Sequence, residues 1–300
     1  SLQFVPADAA YYATLMRNRE QFEIVAHSKA WASIKQMPIV QFGWQMVQLQ
    51  SAGGDSGPAK IRKALEDPQV EQALKLVVDM LSDEAFLYTD ASAIDAIELM
   101  QKIGNSVRTA QLRADIGTAG GDGVDYSDVD EDDAVGAALL RTLAENRDRI
   151  KAPVVVHGFK LSDTKRATEQ LAKLELMVGL LCEQVPELEG SFGRKEIAGN
   201  EYLVLSLDGE MIPWEESTIE EMKEAEIKEG DAEKVIEAVK AATLSVAVGL
   251  RDDYLLLAIG PDTEALKRLG SGDLLVDRPE MKRLDKHAGE KLTGIAFVSE

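Results

Sequence analysis

Apolar positions along this chain follow two periods, and the switches between them predict its elements. Residues 4–15 open on a Pro-Ala-Asp step and carry Tyr11, Tyr12 and Leu15, which predicts an early strand. Residues 28–35 have helical spacing. Pro38 interrupts them and starts a second helix over 39–50, because proline is tolerated at a first helical position. The cluster Gly53, Gly54, Asp55, Ser56, Gly57, Pro58 predicts a loop. Helices follow over 59–66 and 70–80.

One pattern then recurs three times. A short apolar run at 85–88 precedes Ser92, with Asp95 three residues on, a capping-box arrangement. Ile94, Ile97, Met100 and Ile103 mark the helix face after it. In the second instance Val154, Val155 and Val156 form the strand. Ser162, Asp163 and Thr164 offer the cap, and Leu171, Leu174, Met177 and Leu181 continue as helix. In the third, residues 254–259 lead to Asp262 and Thr263 as cap, then Ala265, Leu266 and Leu269.

Three strand–cap–helix units fit either a parallel α/β sheet or a repeated α+β fold. Hairpins select the second. Glu196 and Ile197 run into Gly199-Asn200, and 202–207 returns; 243–250 turns at Arg251-Asp252-Asp253 and returns at 254–259. Direct hairpins force antiparallel pairing. The expected fold class is α+β, an antiparallel sheet with helices packed on it. It is expected to span 1–300 as one large unit.

Two segments are biased in charge. Residues 115–133 hold Gly117, Gly120, Gly121 and Gly123 followed by a run of acids, which predicts an acidic loop feeding a helix near Asp132. Residues 217–242 read as charged helix broken at Gly230, with Ser217 and Glu220 as a capping box.

Composition narrows the function classes. Fifty-three acids against 33 bases give a net charge of −20. Such a surface repels phosphate backbones and anionic headgroups, so no nucleic-acid partner is expected. Hydrophobic residues make up 45%, enough for a core and too many for a disordered chain. No apolar run reaches the ~18–20 residues that span a bilayer. The sequence opens at Ser1, directly before the apolar residues 2–5, and 292–298 reads as a strand close to its end. Both features lead to the expectation of a piece of a longer, exported chain.

Candidate chemistry is sparse. Cys182 is a single cysteine beside an apolar helical run, which predicts a buried, inert thiol. His27 falls at a helix start, His157 after a valine run and His287 in a charged segment, and none has metal-ligand spacing. His157 is the best placed of the three for an outward position. Neither Gly190-Ser191-Phe192-Gly193 nor Gly270-Ser271-Gly272 makes a nucleophile elbow, and both read as turns. No phosphate-cradle spacing is present. Asp122, Asp125, Asp128 and Asp130 miss the alternation and central glycine of a calcium loop, so they read as solvated charge. Trp31, Phe42 and Trp44 read as core, and Trp214 after Pro213 as the exposed aromatic. No catalytic residue, cofactor or metal site is assigned.

Two stretches carry a family resemblance. The run GLRDDYLLLAIGPDTEALKRLGSGDLLVDRPEMKRL, at 249–284, resembles a hairpin–helix–tail signature of the DUF3352-like group of exported bacterial proteins. Phe4-Val5-Pro6-Ala7-Asp8-Ala9-Ala10-Tyr11-Tyr12 is similar to that group's entrance motif. Together they cover about 45 residues, and the acidic loop departs from the pattern. The resemblance implies export, a repeat-built α+β fold and no catalytic residues. The expected function is a non-enzymatic extracytoplasmic module that binds a protein or an envelope component. A hydrolase with a carboxylate-based site is the alternative, and a calcium-dependent adhesion element a third.

Overall fold

A computed structural model describes residues 1–42, 45, 67–116, 131–226, 228–287 and 289–299. The predicted loop at 53–58, the helix at 59–66, Trp44 and the aspartates of the acidic run from Asp122 to Asp130 lie outside the described residues.

The centre is one eight-stranded sheet. Its strands are β1 (Tyr11–Leu15), β2 (Ala85–Thr89), β3 (Val155–Lys160), β4 (Phe192–Ile197), β5 (Asn200–Asp208), β6 (Thr243–Arg251), β7 (Tyr254–Gly260) and β8 (Gly294–Val298). They lie in the order β4-β5-β6-β7-β3-β2-β1-β8, with every neighbouring pair antiparallel. The α+β class and antiparallel sheet read from the sequence are therefore those of the protein.

The two hairpins have the residues their turns require. Ala198 and Gly199 join β4 to β5 with φ of 49° and 77°, the doubly positive geometry that matches strand twist. Asp252 at φ 54° turns β6 into β7. The early strand is shorter than its sequence pattern. It starts only at Tyr11, because residues 4–9 leave the sheet to cover it, with Pro6 bridging Leu274.

Nine helices lie wholly within the described residues: α1 (Asn18–Ala26), α2 (Lys29–Gln36), α3 (Pro68–Met80), α4 (Ala91–Ile116), α5 (Glu131–Glu145), α6 (Thr164–Glu183), α7 (Glu216–Glu224), α8 (Asp231–Ala241) and α9 (Glu264–Arg268); residues 38–42 are helical as well, so a helix does restart at Pro38. The three strand–cap–helix units are β2–α4, β3–α6 and β7–α9, and an aspartate precedes the helix in each. Asp90 accepts from Ser92 N–H at 2.9 Å, Asp163 from Arg166 N–H at 3.2 Å and Asp262 from Glu264 N–H at 2.8 Å. Ser92 is thus not the cap. It sits inside α4, where its hydroxyl accepts from Val154 N–H at 2.8 Å and ties the first unit to the second. Asp95 bridges Lys151 at 3.2 Å instead of closing a capping box. Ser217 likewise lies inside α7, whose start at Glu215 has no side-chain cap. Asp115 belongs to α4 and not to a loop.

Strand alternation assigns the core to one face of the sheet. Tyr12, Tyr88, Val156, Ala258, Ala247 and Val204 form a row across six strands and are all buried. Val5, Leu266, Leu269, Leu275 and Met281 close over that face from outside the sheet. On the other face α3 and α6 meet the sheet through Leu76, Leu161, Ala167 and Leu255. Helices α4 and α5 meet through Ala110, Ala134 and Ala138, and α5 meets α8 through Leu140, Ala144, Ala232 and Val235.

Candidate functional site

Three features have the chemistry or exposure to be a site: a carboxylate network under the first sheet face, a carboxylate tether at the end of α3, and the apolar surface of the second face.

The network centres on Glu84, which precedes β2. Its carboxylate accepts from Tyr254 Oη at 2.6 Å, Thr14 Oγ1 at 3.0 Å and the Ser1 hydroxyl. Burial pushes its pKa up, but the donors from Ser1 and Tyr254 outweigh it and hold Glu84 below its ordinary value. Burial and the same carboxylate drive the Tyr254 phenol upward, and burial lifts Tyr12 to about 12. The gap lined by Phe4, Phe86, Arg251 and Tyr254 has no room for water. The network is a closed, satisfied set of hydrogen bonds that joins β1, β2 and β7.

Asp79 ends α3 at 5% exposure. Its two oxygens accept Ser162 N–H at 3.2 Å, Ser162 Oγ at 2.6 Å and Asp163 N–H at 3.0 Å. Burial pushes its pKa up, and these donors, with Arg166 nearby, pull it lower. Asp79 therefore pins the turn before α6 to the end of α3. Nothing local in the chain marks Glu84 or Asp79: their partners lie 70 and 170 positions away for Glu84 and 83 and 84 for Asp79.

The histidines are scattered. His27 directly precedes Ser28, the N-cap of α2, and also caps the C-terminal end of α1, with Nδ1 at 2.8 Å from Glu23 O. His287 is exposed and 2.9 Å from Glu290. His157 stands in mid-β3 on the second sheet face, its ring parallel to Phe159 at 6.1 Å, and burial lowers its pKa. Cys182 is half-buried, short of the burial expected for it. Ser191 is buried and donates to Leu188 O at 2.7 Å, as a turn residue does.

The aromatics reverse their expected places. Trp31 and Phe42 are 40% and 63% exposed, because the helices that carry them have little packed against them among the described residues. Trp214 is half-buried: its Nε1 donates to Gly209 O at 2.8 Å, and Lys240 lies 5.4 Å over its ring.

The second sheet face presents Leu87, His157, Leu257 and Val248 in one row, each half-buried. Strands apolar on both faces are normally covered on both. Here α6 covers part of the face and turns its own apolar stripe outward. Leu176, Met177 and Leu181 are 65%, 62% and 59% exposed, with Leu174 and Leu180 beside them. Glu183, Glu187 and Glu189 follow at the end of that stripe, all exposed, and the last turn of α6 has no basic residue. Acids at the negative end of a helix dipole are unfavourably placed without a cation.

Among the described residues no group of three or more acids, histidines or cysteines is arranged to hold a metal, and no helix is long and apolar enough to cross a membrane. Compared with family models, curated proteins and solved structures, the chain matches none.

Proposed function

We propose that this protein is a non-catalytic binding module that docks a basic, amphipathic segment of a partner protein on the stripe of α6. The carrying observation is the outward row of Leu174, Met177 and Leu181, which runs toward three exposed glutamates. Apolar patches of this kind mark interaction surfaces. A partner cation answers the carboxylates, whereas a second copy of a chain with net charge −20 meets like charge. Location beyond the cytoplasmic membrane is part of the proposal and rests on the resemblance of 4–12 and 249–284 to exported DUF3352-like proteins. A hydrolase receives less support: Glu84 and Asp79 are both held below ordinary values, the reverse of what a proton donor needs.

The test is anisotropy with a labelled Lys/Leu amphipathic peptide and its Glu/Leu counterpart. The basic peptide binds, weakens with added salt, and loses about tenfold or more on Met177→Lys with Leu181→Lys, equivalent to about 1.4 kcal/mol. Equal binding of the acidic peptide, or salt-independent dimerisation through the stripe, sinks the reading. Fractionation of the native host tests location, and recovery in the cytoplasm removes that part.

A further inference from the structure

One concave feature on the helical side has chemistry unlike the surface around it. A cleft of about 350 Å³ opens between α1, α3 and the start of α6. Its apolar wall is Leu74 and Val78, both exposed. Around them stand three cations, Arg19, Lys75 and Arg166, and two carboxylates, Glu71 and Asp79. With Asp163, which pairs with Arg166, three cations meet three carboxylates, an even balance in a chain of net charge −20.

Most of these charges are already engaged. Asp79 is occupied by Ser162 and Asp163, Glu71 pairs with Lys75 at 2.6 Å, and Arg166 pairs with Asp163 at 3.0 Å. Arg19 differs. Its backbone N–H donates to Ser82 O at 2.8 Å, which fixes the residue at the head of α1. Its guanidinium makes no hydrogen bond or ion pair among the described residues. The cleft therefore offers a free planar donor fork beside apolar walls.

That combination selects a ligand. A guanidinium takes a carboxylate through two parallel hydrogen bonds. An apolar wall with few polar groups takes a hydrocarbon chain, and the volume suits a small molecule. The flanking Glu71 and Asp79 disfavour a dianion such as phosphate, and Arg19 disfavours a cationic head. We propose that this cleft binds a medium-chain monocarboxylate, with its head on Arg19 and its chain along Leu74 and Val78. The proposal is independent of the peptide stripe, which lies on the opposite half of α6.

Calorimetry on the whole chain with hexanoate, octanoate and decanoate tests it, with decanol, decyltrimethylammonium and inorganic phosphate as controls. Affinity rises about fourfold per added methylene until the cleft is full. Decanoate exceeds decanol by about tenfold, and Arg19→Gln removes that margin while decanol binding stays. Val78→Trp fills the cleft and abolishes both, and Leu74→Asp does the same job should the tryptophan lower the melting temperature. Decanol or decyltrimethylammonium binding as tightly as decanoate, phosphate displacing it, or an unchanged preference in Arg19→Gln would overturn the assignment.

Discussion

The two faces of the sheet are made from the same kind of strand yet end in different states. On the first face Tyr12, Tyr88, Val156 and Val204 are fully buried. One residue along each of β2, β3 and β7, Leu87, His157 and Leu257 on the second face remain half-buried. The strands do not cause this, since β7 reads Tyr-Leu-Leu-Leu-Ala-Ile-Gly and is apolar on both sides. The overlying segments cause it. The first face is closed by short, irregular pieces that each insert an apolar residue: Val5, Leu266, Leu275 and Met281. The second is roofed by α3 and α6, which reach the sheet through a few positions and direct the rest of their apolar residues outward. A closed face contributes stability. A half-open one keeps apolar area available for a partner.

The sharpest way to break this comparison is to truncate one leucine on each face. Leu266→Ala, at 1% exposure, costs about 2–5 kcal/mol in urea unfolding, because it leaves a cavity. Leu257→Ala costs less than half of that, since its site is half-wetted already. Equal losses would mean that the second face is as well packed as the first.

A smaller effect separates the tether from the surface around it. Asp79→Ala removes a charged acceptor from two backbone N–H groups and a hydroxyl, and costs about 1.5–3 kcal/mol by thermal melting. A loss under about 0.5 kcal/mol would show that the α3–α6 junction is not held there. Close approach on the first face gives a comparable figure. A Cβ on Gly158 would stand 1.9 Å from the Phe86 ring. Gly158→Ala therefore costs about 1–3 kcal/mol, and no loss would mean that the closed face has slack.

Acid sharpens the comparison through charge. Glu84 and Asp79 are both held below their ordinary values of 4.5 and 3.8. Between those values and the lower folded ones the unfolded chain binds more protons, so stability rises with pH across that window. The contribution is complete above the ordinary values and is lost as pH falls through the folded ones. Glu84→Gln flattens the acid limb of a stability–pH curve, and an unchanged limb would remove the network from the account. The smallest effect is on the stripe. Leu181→Ser shifts stability by no more than about 0.5 kcal/mol, measured by urea midpoint, while it weakens the basic peptide. A larger loss would show the stripe to be core.

Local chemistry was readable from the residues alone. Both hairpins declare themselves, the first with its turn at Ala198-Gly199, one residue before the Gly199-Asn200 expected, because a reversal needs specific backbone geometry at adjacent positions. Helix periods over 70–80 and after Asp163 and Asp262 are equally local, as is the antiparallel pairing that the hairpins imply. Two details differ for one reason. Ser92 and Ser217 have the right residue type for a helix N-cap, and the chain around them sets a different boundary. The burial of Trp31 and Phe42 was not decidable either, since a helical stripe of aromatics reads the same whether or not something packs on it.

Sequence by itself determined the α+β class, the antiparallel sheet, both hairpins and the net acidity, because each follows from neighbouring residues or from simple counts. Only the tertiary structure decided which face of the sheet is closed, that Glu84 meets Thr14 and Tyr254, that Asp79 holds the turn before α6, and that the Arg19 guanidinium, unpaired among the described residues, stands beside an apolar cleft. Those relations join residues far apart in the chain, and no short-range pattern of side chains specifies which distant segments will be brought into contact.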